Sequence, residues 1–219
     1  MPVTTVVRAA EELRRALFEG DLLPGTPLRE IALADSLGVS RSTIREALAL
    51  LVAEGLADRV PHRGTQVRRL DPAQVADVCR ARAVIEVTGV RRWAEASEEQ
   101  RDDVRRALDA YSRLRGSDCS TAPASMSQFT AAHLDIHRSF AALTGSPRMV
   151  AFTDSLHAEV RLALAQVDRT RGNAAEQVHS HSHLLDLLEA GQVEAAATEL
   201  AAHLVEAEES MVEVVSALV

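Results

Sequence analysis

The sequence predicts a mainly α protein: an N-terminal winged helix-turn-helix over residues 1–70 and a C-terminal all-α helical bundle over residues 71–219. Three observations carry that expectation. Aromatic residues make up only 3% of the chain, while hydrophobic residues reach 47% and are chiefly Ala, Leu and Val, a composition that favours helices packed on helices. The segment from Gly38 to Leu48, GVSRSTIREAL, reads as the turn and second helix of a helix-turn-helix. From Asp71-Pro72 onward, every periodic segment is bounded by helix caps or by Gly and Pro stops.

The first helix is expected from Val3 to Glu19, stopped by Gly20, and the loop Asp21 to Pro27 leads to a second from Leu28 to Leu37. Gly38 can take the φ > 0 conformation of a sharp turn, Ser40 caps the third helix, and Gly55 ends that helix after Glu54. Ile44, Leu48 and Leu51 share one face of it, and Arg41 and Arg45, spaced i, i+4, share another. A buried face opposite guanidinium groups is what a recognition helix in the DNA major groove needs; an ordinary amphipathic surface helix has the same pattern. Ala57 to Pro61 and Thr65 to Arg69 read as two strands joined by His62-Arg63-Gly64. That tip either reaches the minor groove and neighbouring phosphates or is a solvated hairpin end.

In the second region Asp71 caps a helix running from Pro72 to Ala96. Ser97 to Gln100 is a capping box for a helix that ends near Gly116, and Ser117 to Ser127 is a loop or frayed helix start. Further helices span Phe129 to Leu143, Pro147 to about Arg169, the segment capped by Asn173 and stopped by Gly191, and Val193 to Leu218. About six helices thus form the bundle.

Charge is divided along the same line. The net charge of −8 comprises +1 over residues 1–70 and −9 over residues 71–219, and residues 36–70 hold six Arg against three acids. A locally basic reading segment suits a polyanion, and an acidic body is held off it. Lysine is absent. Cys79 and Cys119 form no Cys-x-x-Cys pair, which argues against a disulfide framework or thiolate zinc site. No stretch reads as a signal peptide or membrane span, so a cytoplasmic protein is expected.

Seven of the eight histidines lie after residue 71. His133 and His137 are i, i+4 on one helix, His179, His181 and His183 open the next-to-last, and His203 lies within the last. Imidazoles converging from three helices would make a metal site; separate core or solvated histidines are the other reading.

The N-terminal pattern resembles the GntR family of bacterial transcription regulators, through Pro24 to Glu30, Leu33-Ala34, Gly38 to Arg41, Ile44 to Leu48, Leu51, Glu54 to Leu56 and Arg63 to Val67. The remainder is similar to the FCD-type ligand-binding domain of the family's FadR branch, through Arg82 to Glu86, His137, Leu143 to Pro147, His181, Gly191, Ala196 and His203-Leu204. The first resemblance implies a DNA-contacting set of Arg29, Ser40, Arg41, Ser42, Thr43, Arg45, His62, Arg63 and Gly64. Ile31 stands where acyl-CoA-responsive members carry a further arginine. The second implies metal ligands at His137, His181 and His203, with His133 at a position that is usually Asp or Asn. His133 is then either a fourth imidazole ligand or a group behind the other three, and Asp135, two residues on, diverges from that face. An all-nitrogen set favours zinc, with nickel, iron, copper or manganese as other divalent candidates. Arg82 resembles a position that contacts carboxylate effectors; an intrahelical pair with Glu86 is its alternative.

The expected function is a homodimeric, ligand-responsive repressor. It binds a pseudo-palindromic operator in double-stranded DNA and is switched by a small carboxylate at a metal-containing site in the bundle. The rivals are a helical-bundle metalloenzyme and a sensor for which the metal itself is the signal.

Overall fold

The computed structural model describes residues 4–116, 126–167 and 174–217. Helix α1 (Thr5–Phe18) begins at Thr4, whose hydroxyl accepts a bond from the Val7 amide. Strand β1 (Pro27–Leu28), helices α2 (Glu30–Leu37) and α3 (Arg41–Ala53), and strands β2 (Ala57–Val60) and β3 (Gly64–Val67) follow. Gly38 ends α2 in the left-handed conformation at φ 63°, and the Ser40 hydroxyl accepts from the Thr43 amide to open α3. Ile44, Leu48 and Leu51 are buried, as their spacing predicts, against Leu13 and Leu17 of α1.

The wing differs from the expected hairpin. It has three antiparallel strands in the order β1-β3-β2, with Ala57 opposite Val67 and Pro27 opposite Gln66. Leu28 therefore belongs to a strand rather than to α2. The reason is backbone satisfaction: the Gly25 amide donates to the Val67 carbonyl and the Val67 amide to the Thr26 carbonyl, both at 2.9 Å, so the Pro-Gly loop is held by β3 and not by a helical turn. Leu28 is buried in the same core.

Helix α4 (Pro72–Arg91) opens with a capping box between Asp71 and Gln74. It stops short of the expected Ala96, because the chain tightens into a 3₁₀ turn (Trp93–Glu95) that buries Trp93. The Ser97–Gln100 capping box starts α5 (Glu98–Gly116). Helices α6 (Met126–Ala142), α7 (Pro147–Val167), α8 (Ala174–Glu189) and α9 (Val193–Ala217) complete the described residues. Val3, most of the Ser117–Ser127 segment, Asn173 and Leu218 lie outside them, as do the side chains of residues 174–180, including His179.

Helices α4 to α9 share two clusters of buried residues. α4 and α6 approach so closely that a Cβ on Gly89 would lie 2.0 Å from the Phe140 carbonyl oxygen, so only glycine fits. Helix α7 crosses over: Leu162, 1% exposed, belongs to the N-terminal core, and the partly buried Ala158 packs against it.

Candidate functional site

The periodicity of α4 puts Arg82 and Glu86 among its buried residues, with Val78, Cys79, Ile85 and Gly89 on the same inward face. Two opposite charges at core positions of one helix need partners, and they have them. Arg82 Nε donates to Glu86 Oε1 at 3.0 Å, both side chains being almost wholly buried. Glu86 Oε2 lies 2.6 Å from His137 Nδ1, and its Oε1 lies 3.4 Å from His157 Nε2. Burial pushes the Glu86 carboxyl up, but Arg82 and His137 outweigh it and hold the carboxyl well below the usual range. An ionised Glu86 accepts the Nδ1 proton of His137, which leaves His137 Nε2 as a bare lone pair.

That nitrogen faces two others. His137 Nε2 is 3.1 Å from His181 Nε2 and 3.2 Å from His133 Nε2. His203 stacks on His137 with ring centroids 5.5 Å apart, and the ligand atoms of all four histidines lie within 4.8 Å of one another. Burial lowers the pKa of His133, His137 and His203, the last to about 4, with the neighbouring imidazoles adding to the effect at each. All three are therefore neutral near pH 7, the form that binds a metal. A tetrahedral ion with Zn–N bonds near 2.0–2.1 Å would hold its nitrogens about 3.3 Å apart, close to the two separations found. The donor set thus fits a divalent transition metal, and the structure brings together all four predicted histidines. His183 is turned away, 3.5 Å from Glu199.

At the other end of the molecule, Arg41 and Arg45 project from the exposed face of α3. Arg45 donates to Glu30 of α2 at 2.9 and 3.2 Å, and Arg41 lies 3.8 Å from the same carboxylate. The hydrogen bond from Arg45 lowers the Glu30 pKa. Arg29, Arg41, Arg63 and Gly64 line one groove between α2, the start of α3 and the wing. Ser40 and Ser42 are exposed on its α3 side, and their hydroxyls are 2.7 Å apart; Thr43 is half-buried beside them, its hydroxyl 2.8 Å from that of Ser40. His62, at the wing tip, is exposed and holds φ 62°.

Residues 5–67 match the model of bacterial regulatory proteins of the gntR family, and residues 77–206 match that of the FCD domain. The chain belongs to the GntR family. A Paenarthrobacter nicotinovorans protein named as a repressor of the D-xylose utilization operon is 31% identical over 190 residues, covering 85% of this chain and 80% of that protein. A structure described as a GntR transcriptional regulator from Rhodococcus sp. RHA1 superposes with a TM-score of 0.81 at 27% identity, over 94% of this chain and 96% of that one. E. coli McbR/YncC shares the fold, with a TM-score of 0.74 at 20% identity over 95% and 97% of the two chains. This GntR protein is a DNA-binding transcription regulator rather than an enzyme. Among the described residues, no helix is long and apolar enough to cross a membrane.

Two residues of the regulator's histidine centre escaped the sequence reading. Glu86 stood only as a partner for Arg82, and His157 had no role. The available signal was periodicity: both are polar residues at inward positions of largely apolar helix faces, Glu86 between Cys79 and Gly89 on α4, and His157 between Thr153 and Val160 on α7.

Proposed function

We propose that this regulator is a homodimeric repressor whose operator affinity is switched by a small carboxylate bound at a metal-containing site in its bundle. Residues 1–70 are its DNA-reading unit and residues 71–219 its metal, effector and dimerisation unit. The observation that carries the reading is the convergence of four imidazoles inside an FCD domain, His137 and His181 buried and His133 and His203 half-buried, three of them with Nε2 atoms at 3.1 and 3.2 Å. His133, His137, His181 and His203 hold the ion, zinc first among divalent transition metals. The bound ion supplies a positive centre for an anion. Glu86 fixes the tautomer and ring orientation of His137, and Arg82 lies beside this centre as the candidate carboxylate contact, its Nε engaged by Glu86.

Arg41 and Arg45 read base edges, with guanine O6/N7 the natural partner of a guanidinium. Ser40, Ser42, Thr43, Arg29, His62, Arg63 and Gly64 supply backbone and wing contacts. The repressor sign is supported by the name of the Paenarthrobacter relative. Dimerisation is supported by an apolar stripe on α4 and α9, where Val84 is 70% and Val205 53% exposed. The ion pairs Arg80–Glu208 and Arg91–Glu194 flank it. A two-fold dimer implies a pseudo-palindromic operator.

Metal analysis of protein purified without a histidine tag tests the centre: about one transition-metal ion per chain is expected, and a folded, metal-free protein that takes up none overturns it. Operator titrations with Arg41→Ala/Arg45→Ala should lose binding while the thermal shift caused by an organic acid is kept. A second reading has one observation behind it. Four protein ligands close a tetrahedral site, which favours the metal itself as the signal; chelation alone would then switch operator affinity with no organic acid needed.

A further inference from the structure

Ile31 stands on the first turn of α2, and at 58% exposure it is the most exposed large apolar side chain described in residues 4–70. A lone exposed isoleucine needs no explanation on most surfaces. This one lines the groove between α2, the start of α3 and the wing, whose other walls carry Arg29, Arg41 and Arg63. Its neighbours fix how deep it sits. Glu30, the residue before it, accepts from Arg45 Nη2 at 2.9 Å through the same oxygen that lies 3.8 Å from Arg41 Nη2. The first turn of α2 is therefore level with the two guanidinium groups that α3 aims at base edges. Ile31 and the exposed Ala32 beside it give a phosphate nothing to bond to.

In the major groove the base edges carry one apolar group, the 5-methyl of thymine; the other readable groups are hydrogen-bond donors and acceptors. We propose that Ile31 is a specificity-determining residue that reads a thymine methyl in the operator, beside the bases read by Arg41 and Arg45. Thymine at that position covers the side chain and removes apolar surface of both partners from water. Cytosine has no methyl to offer there. A purine would turn hydrogen-bonding atoms against an apolar wall that cannot replace their water. Branching at Cβ stiffens χ1, so Ile31 presents a fixed surface with little freedom left to lose on binding. The role rests on α3 lying in the major groove, and it is independent of the metal centre and of any effector.

A thymine-to-deoxyuridine scan tests it, on an operator that the full-length protein selects from a pool of random duplexes. Deoxyuridine lacks the methyl and keeps every hydrogen-bonding group. At one thymine the exchange should weaken the unaltered protein about fourfold, the worth of one buried methyl group. Ile31→Ala should bind the thymine operator about fourfold more weakly, yet bind the deoxyuridine operator as well as the unaltered protein does. The scan uses unaltered protein, so it decides even if the variant misfolds. Three results would overturn the proposal. The scan may be flat at every thymine, the sensitivity may persist undiminished in folded Ile31→Ala, or Ile31→Ala may weaken operator and scrambled duplex equally, which marks a sugar contact. Arg41→Ala/Arg45→Ala, run on the same operator, separates the two levels. Binding retained by that variant would overturn the placement of α3 and this role with it, whereas binding lost beside a flat scan overturns the role of Ile31 alone.

Discussion

Gly89→Ala probes packing and the histidine centre together. In an isolated helix this substitution gains about 1 kcal/mol. Here the new methyl would stand 2.0 Å from the Phe140 carbonyl oxygen, against an ordinary contact of about 3.5 Å, so α4 and α6 must part by roughly 1.5 Å. Overpacking of this kind costs about 1–3 kcal/mol and occasionally more, and a rigid backbone carbonyl puts Gly89 toward the upper end. The expected net effect is a loss of about 1–2 kcal/mol, read as a lower urea midpoint of the metal-free protein with unchanged slope. The consequence does not stop at stability. Glu86 lies three residues before Gly89 on α4, and His137 three before Phe140 on α6, so the same parting stretches their 2.6 Å contact out of hydrogen-bond range. Zinc affinity, measured by competition with a chelator, should fall about 10–100-fold. Unchanged stability would refute the close approach of the helices. Lost stability with unchanged zinc affinity would refute the role given to Glu86.

Glu86→Gln keeps the size of the side chain but leaves Arg82 buried without a counter-charge, so thermal unfolding should show a loss of about 3–5 kcal/mol, with zinc affinity again reduced about 10–100-fold. Glu30→Ala releases Arg41 and Arg45, so binding to a scrambled duplex should tighten and its logarithmic salt slope steepen by about 1–2; an unaltered slope counts against Glu30 as their restraint. In the metal-free protein, the folded-state pKa of His203, about 4, lies below its unfolded value near 6.5. The unfolded chain therefore binds more protons, and the stabilisation present above pH 6.5 is lost as pH falls towards 4. A denaturant midpoint that is flat across that window would contradict the half-buried, neutral state of the imidazole.

The helix-turn-helix was legible because its signals are local: Gly38, Ser40 and the i, i+4 spacing of Arg41 and Arg45 decide conformation within one or two turns. The four histidines were legible through a family likeness, which supplies the long-range register that spacing alone cannot. The unread parts are those decided at a distance. Leu28 pairs with Thr65 across the sheet, and nothing near Leu28 in sequence reveals that partner. Trp93 leaves the helical path because burying its ring outweighs one more helical turn. Glu86 and Arg82 look like an ordinary surface i, i+4 pair until the inward face of α4 is known.

Helix α7 has a further consequence. His157 reaches Glu86, Glu159 reaches Arg68 at 3.5 Å, Arg161 covers Phe18, and Leu162 is sealed in the N-terminal core. Five residues of helix, about 7.5 Å of axial rise, join the neighbourhood of the histidines to the foundation of the recognition helix. A helix hardly stretches, so α7 works as a yoke: a tilt at one end is felt at the other with no slack taken up by the chain between Arg68 and Asp71. The two regions are thus geared through a side-by-side splice rather than through their connecting peptide. Lengthening that peptide would leave the gearing in place, whereas one residue inserted between His157 and Leu162 would turn one of them about 100° off its seat.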